Sequence, residues 1–123
     1  MCSILIPIHP KYVDGIIKGT KTFELRRKIP RRKVDKMLIY STSPVMKVVC
    51  EVEIEQTLTD KVDNLWEIVR DSSLVTFEEY KRYFDSNGLA NAFQIGKVKL
   101  YDEPKQLSDL GINYTPQSFT YLD

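Results

Sequence analysis

The chain has only one histidine and two cysteines. His9, Cys2 and Cys50 are too few and too scattered to furnish a metal cluster or a Ser/His/Asp set. No glycine-rich run resembles a phosphate-binding loop. Zinc enzyme, NTPase and triad hydrolase are therefore not expected, and neither is a metal or a cofactor. Two cysteines make no disulfide framework, and Cys50, inside the apolar run Val48-Val49-Cys50, reads as a buried thiol. No apolar run approaches membrane-spanning length, and the amino terminus lacks a basic segment followed by a long apolar one. A cytoplasmic protein without a membrane partner is expected. No helix-turn-helix is evident, so sequence-specific reading of DNA is not expected either.

The bulk composition is that of a globular protein, 42% hydrophobic and 28% charged. A single domain over residues 1–123 is expected, long enough for a real core. The net charge of +1 hides an uneven distribution. Residues 18–36 hold nine Lys or Arg against Glu24 and Asp35, a net of +7, which leaves the remainder at −6. A basic patch on an acidic body is an electrostatic footprint for polyanions, and the plainer reading is a solvated loop that aids solubility.

In chain order, Ser3 to Ile8 suits a buried strand, with Pro7 arguing for an edge or a bend. Pro10 opens a helix carrying Val13, Ile16 and Ile17 on one side, and Gly19 ends it. His9 before that helix reads as a cap or a surface residue. Met37 to Tyr40 and Lys47 to Ile54 read as strands around Ser41-Thr42-Ser43-Pro44, whose hydroxyls bind phosphate or satisfy their own backbone. Val62, Leu65, Trp66 and Val69 have helical spacing after Thr59 and Asp60 as caps, with Trp66 in core packing. Thr76-x-x-Glu79 is a capping-box pattern for another helix with Phe77, Tyr80 and Phe84 buried. Asp85-Ser86-Asn87-Gly88 reads as a turn. A strand over Phe93 to Leu100 follows, with Gly96 as a bulge or close approach, then a helical turn through Leu107 and Leu110. Ser118 to Leu122 reads as a closing strand.

The most informative stretch is Gly19-Thr20-Lys21-Thr22-Phe23-Glu24-Leu25-Arg26. Gly19 can take a positive φ and redirect the chain. Strand alternation then puts Glu24 and Arg26 on one face, with Phe23 and Leu25 on the other. A carboxylate that accepts and a guanidinium that donates a planar fork can together read the edge of a nucleobase. The plainer reading is an intramolecular ion pair at a strand end, with Lys21 solvated.

Gly-x-Lys-x-x-Glu-x-Arg, here Gly19, Lys21, Glu24 and Arg26, resembles the signature of the ASCH superfamily. The resemblance extends to Ile4-Leu5-Ile6-Pro7-Ile8 and the helix after it, to Tyr40 through Val45, and to Pro116 through Leu122. It implies a PUA-like fold: an α+β mixed barrel of about five or six strands with two to three helices. It also implies an RNA-linked module that regulates RNA metabolism, transcription or translation. One branch of the superfamily removes the acetyl group of N4-acetylcytidine, using a lysine at the Lys21 position, a threonine nucleophile at the Glu24 position and a glutamate in the later helix. Lys21 is retained and Glu79 matches the helix glutamate, but Glu24 replaces the hydroxyl. A carboxylate there would need a changed mechanism, such as acting as base for water.

The expected function is therefore recognition of RNA or a nucleotide by a cleft of Gly19, Lys21, Glu24, Arg26, Ser41 and Ser43. Arg27, Lys28, Arg31, Arg32 and Lys33 are expected to engage phosphates beside it. The alternative is an amidohydrolase acting on a modified nucleoside through Lys21, Glu24 and Glu79. A protein partner docked on the acidic remainder of the surface is the third expectation.

Overall fold

The computed structural model describes residues 2–85 and 88–122. Strand β1 (Ser3–Ile8) leads into helix α1 (Pro10–Lys18) and the short β2 (Phe23–Arg26). Then come β3 (Lys36–Ser41), β4 (Lys47–Lys61), α2 (Val62–Val69), α3 (Phe77–Tyr83), β5 (Leu89–Lys105), a 3-10 turn at Leu107–Leu110, and β6 (Thr120–Tyr121). The six strands form one mixed sheet in the order β2-β5-β4-β3-β1-β6, parallel only between β1 and β3. This is the α+β, barrel-like architecture expected, with six strands and three helices among the described residues. The sheet is not closed by backbone pairing: β2 and β6 are its two edges.

β1 from Ile4 to Ile8 and β3 from Met37 to Tyr40 are continuously nonpolar or aromatic because both of their faces are covered. Ile4, Ile6, Ile8, Met37 and Ile39 join the central core with Val13 and Ile16 of α1, while Leu5, Leu38 and Tyr40 pack outward under the 3-10 turn and Ile112. β5 alternates in the same way. Phe93 and Ile95 enter the central core, whereas Ala90 and Ala92 support α2 and α3 through Leu65, Val69 and Tyr80. Trp66 packs with this second cluster, its ring 4.9 Å from that of Tyr80.

Two strands run well beyond their expected limits. β4 continues from Ile54 to Lys61 and β5 begins at Leu89, because these polar residues pair with each other from Gln56↔Gln94 to Lys61↔Leu89. The β4 half is mostly exposed and is held by backbone pairing to a β5 half that Ala90, Ala92 and Phe93 bury, so hydrophobic periodicity does not reveal it in β4. Thr59 and Asp60 consequently lie in a strand and do not cap α2. Register shifts at Val48/Cys50, Val52/Ile54 and Ile54/Gln56 bend the long hairpin. Gly96 sits at this bend, and a Cβ there would be 2.9 Å from Glu55 Cγ. The closing strand shortens to Thr120–Tyr121. Of the turn expected at 85–88, Ser86 and Asn87 lie outside the described residues. No helix among the described residues is long and apolar enough to cross a membrane.

Burial makes two groups of this fold sensitive to alkaline pH. The thiol of Cys50, enclosed in the central core, is pushed from 9.0 up to about 11. Tyr80 donates its hydroxyl to the Val62 carbonyl at 2.6 Å, and burial pushes it up to about 12. Both folded values lie above the unfolded ones, so their contribution is complete at neutral pH and is lost as pH rises from the unfolded through the folded values. Between about pH 9 and 11 the wild-type melting temperature is expected to fall more steeply than that of Cys50→Val. Equal slopes in thermal melts would show that the thiol is not held protonated.

Candidate functional site

The turn between α1 and β2 builds the site from backbone contacts. Gly19 caps α1 with φ 84, its N–H directed at the Gly15 and Ile16 carbonyls. The Gly15 carbonyl also accepts from Thr20 N at 2.9 Å and Lys21 N at 3.0 Å, which tucks Lys21 under the helix. The Ser72 carbonyl then accepts from Thr22 N and Phe23 N, tying the start of β2 to the segment between α2 and α3.

Lys21 is thereby carried inward and is only 2% exposed. Its Nζ donates to the Ser73 carbonyl at 2.5 Å, lies 3.6 Å from Glu24 Oε1, and stands 4.7 Å from the centre of the Tyr12 ring. Glu24 Oε2 accepts from Arg26 Nε at 3.0 Å and lies 2.9 Å from Arg26 Nη2. The Glu24 carboxylate is thus shared, one oxygen toward each cation. Burial lowers the pKa of Lys21, an effect that Glu24 opposes and Arg26 reinforces.

Arg26 does more than pair with Glu24. Its Nη2 donates to the Pro7 carbonyl at 2.6 Å and its Nη1 to the Ser118 carbonyl at 3.4 Å. It therefore staples the β2 edge to β1 and to the segment before β6, across the gap where the sheet does not close. Pro7 lies beyond the two residues of β1 that pair with β6, which leaves its carbonyl open to the guanidinium.

These side chains open on a cavity of about 300 Å³ whose walls include Tyr12, Val75, Tyr80 and Tyr83, with His9 and Glu79 also lining it. Burial raises the Tyr12 phenol, helped by the carboxylates of Glu79 and Glu24. Glu79 is the capping-box residue of α3: its Oε1 accepts from Thr76 N at 2.8 Å while its own N–H donates to Thr76 Oγ1 at 3.1 Å. Those hydrogen bonds hold its carboxyl below the usual range. His9 caps α1 by accepting from Lys11 N at 3.1 Å. Among the described residues, no three His, Cys, Asp or Glu side chains gather where a metal ion could be held.

The other expected site residues fall elsewhere. Gly19 is exposed and shapes the turn only. Ser41 is buried and lines a different cavity, with Pro10, Val13 and Ile17. Ser43 is exposed in the turn after β3. Neither hydroxyl joins Lys21, because α1 stands between: Tyr12 lines one cavity while Val13 and Ile17 line the other.

The basic loop divides too. Arg27 lies against Tyr83, a wall of the first cavity, its guanidinium 4.5 Å from the Tyr83 ring centre and its backbone N–H donating to the Tyr83 hydroxyl at 3.3 Å. Arg31, Arg32 and Lys33 line a second cavity of about 490 Å³ floored by Val34, Ile54 and Phe93. Arg32 lies 4.0 Å over the Tyr121 ring, and Lys28 is exposed. Sequence reasoning missed Tyr12, Val75 and Tyr83. Tyr12 lies beside the apolar stripe of α1, and Tyr83 ends α3 among aromatics whose spacing signals packing.

The family described as "Domain of unknown function (DUF365)" matches residues 1–114. The "ASCH domain-containing ribonuclease" of Zymomonas mobilis is 29% identical over 126 residues, covering 96% of this chain and 82% of that protein. The crystal structure of ASCH from the same organism superposes with a TM-score of 0.87 at 28% identity, covering 98% of this chain and 87% of that one. The "ATP synthase subunit alpha" of Ureaplasma parvum is 34% identical over 121 residues, but this chain spans only 15% of that protein's length.

Proposed function

We propose, for a chain that belongs to the ASCH superfamily and to the family described as Domain of unknown function (DUF365), that it binds RNA or a nucleotide by one base at the Lys21 cavity. The basic loop would take phosphates, and the module would serve regulation of RNA metabolism, transcription or translation. The observation that carries this reading is a nearly solvent-free ammonium that nevertheless lines a cavity walled by tyrosines. Its contacts with the Ser73 carbonyl and Glu24 offset the cost of burying the charge, and a purely structural role does not call for an ammonium on a cavity wall.

In this reading Lys21 donates to an exocyclic carbonyl, and Glu24 Oε1, the oxygen not bonded by Arg26, accepts from an exocyclic amine or ring N–H. Tyr12 and Tyr83 offer faces for stacking, worth about 1–3 kcal/mol per base. The cavity, about 300 Å³, lies at the small end of the range for ligand sites, which suits a single base and not a folded RNA element. Arg26 is a brace for Glu24 and the sheet edges, not a reader of the base edge. Kinship with a protein named as a ribonuclease supports RNA as the class of ligand.

The test is a titration with a single-stranded RNA oligonucleotide of mixed sequence from low to moderate salt. Affinity is expected to fall with salt, and each phosphate contact removed from the Arg31→Ala/Arg32→Ala variant should lower the slope by about 0.7. Absence of binding at low salt, or an unchanged slope in the variant, would remove the phosphate half of the proposal.

A second reading, catalysis at the same cavity, is favoured by the match to the ribonuclease over 82% of its length. Its readout is RNA fragments accumulating in the same titration mixtures. The amidohydrolase reading is weaker. Glu24 is occupied by two cations and Glu79 by its capping box, so neither is poised as a base for water.

A further inference from the structure

Gly15 lies inside α1, where glycine costs more backbone entropy than any other residue. The helix tolerates it for a local reason. A Cβ on Gly15 would run into Leu74 Cδ1 and would stand 3.1 Å from Lys21 Cβ and 3.4 Å from Thr20 Oγ1. Leu74 is itself unusual, with φ at 63, a left-handed conformation that its branched side chain disfavours. It is 38% exposed, so packing into a core does not account for that conformation.

Rotation about the N–Cα bond of Leu74 sets the direction of the preceding peptide, whose oxygen is the Ser73 carbonyl. That carbonyl accepts the hydrogen bond from Lys21 Nζ. One residue further back, the Ser72 carbonyl holds the start of β2, and one residue onward Val75 lines the cavity. The Ser73 hydroxyl is fully buried with no hydrogen-bond partner, so the side chain does not hold the segment in place.

We propose that Gly15 and Leu74 are a matched pair of positioning residues for the Lys21 ammonium. The left-handed backbone at Leu74 turns the Ser73 carbonyl onto Nζ, and the missing Cβ at Gly15 gives the Leu74 side chain the space this conformation requires. Neither residue touches the proposed ligand. The inference deepens the reading of Lys21 as the base-binding group, but only the binding arm of its test rests on that reading.

The test is a mutational cycle of Gly15→Ala, Leu74→Ala and the double variant, read in two ways. The first is the ¹H–¹⁵N resonance of the Lys21 ammonium, assigned by its disappearance in Lys21→Met. A buried, hydrogen-bonded ammonium exchanges slowly with water and is observable. The second is affinity for the same mixed-sequence RNA oligonucleotide. Gly15→Ala is expected to abolish the resonance and weaken RNA binding about tenfold, while the double variant recovers most of both, short of wild type because the new Cβ still stands 3.1 Å from Lys21 Cβ. Loss and recovery of the resonance without any RNA binding would support the pair and overturn the function proposed above. A resonance that persists in Gly15→Ala overturns the pair. So does a double variant that lacks the resonance, whether folded or not, because removing the Leu74 side chain should have freed the space.

Discussion

Lys21→Met is expected to reduce affinity for single-stranded RNA about a hundredfold while leaving a folded protein. A hydrogen bond from a charged donor is worth about 1.5–3 kcal/mol, and each 1.4 kcal/mol is a factor of ten, so the lost bond alone accounts for about ten- to a hundredfold. Loss of the ammonium also leaves the Glu24 carboxylate less screened toward a phosphate-bearing ligand. Stability responds to opposed effects. The cost of burying an ammonium disappears, while the Ser73 carbonyl loses its donor and Glu24 loses one of its two cations but keeps Arg26. The melting temperature should therefore move by less than about 5 °C.

The pH dependence gives an independent check on the same residue. The pKa of folded Lys21 lies below the ordinary 10.5. In the window beneath that value the folded chain binds fewer protons than the unfolded one, so this group's contribution to stability rises with pH, opposite in sign to that of Cys50. RNA affinity should fall over the same window as the ammonium is lost. Met in this place removes both dependences. A Lys21→Met variant that binds RNA as tightly as wild type would take Lys21 out of the site.

Glu24→Gln is expected to be the most damaging single change to stability among the site residues. The carboxylate is nearly buried and lies between Lys21 and Arg26. Removing its charge leaves two like charges close together, and breaking a buried pair from one side costs about 3–5 kcal/mol. Arg26 keeps the Pro7 and Ser118 carbonyls as acceptors, so the low end, about 3 kcal/mol, is expected. That loss corresponds to a fall in melting temperature of about 10 °C. A surface pair would contribute only about 0–1 kcal/mol. Thermal unfolding followed by circular dichroism decides: a shift under about 2 °C would mean that the three charges act as solvated neighbours.

Local features of the fold were legible in the residues. The stop at Gly19, the capping box of Thr76 and Glu79, the bend at Gly96 and the shared face of Glu24 and Arg26 all depend on near neighbours. The polar extension of β4 was not legible, because its β5 partners are far apart in sequence and backbone bonds that any residue can make hold it to them. Ser41 and Ser43 were assigned to the cleft from their chemistry alone, and α1 separates them from it. Arg31 to Lys33 were placed beside Lys21 on sequence proximity, yet line another cavity.

Sequence by itself determined which charged groups meet at the start of β2, because strand alternation and a glycine stop operate over a few residues. Only the tertiary structure decided what holds those groups in place. Lys21 is anchored by a carbonyl 52 residues away, and Arg26 by carbonyls 19 and 92 residues away. Every residue carries a carbonyl, so no residue type announces such a partner, and it takes the folded chain to choose which one is in reach.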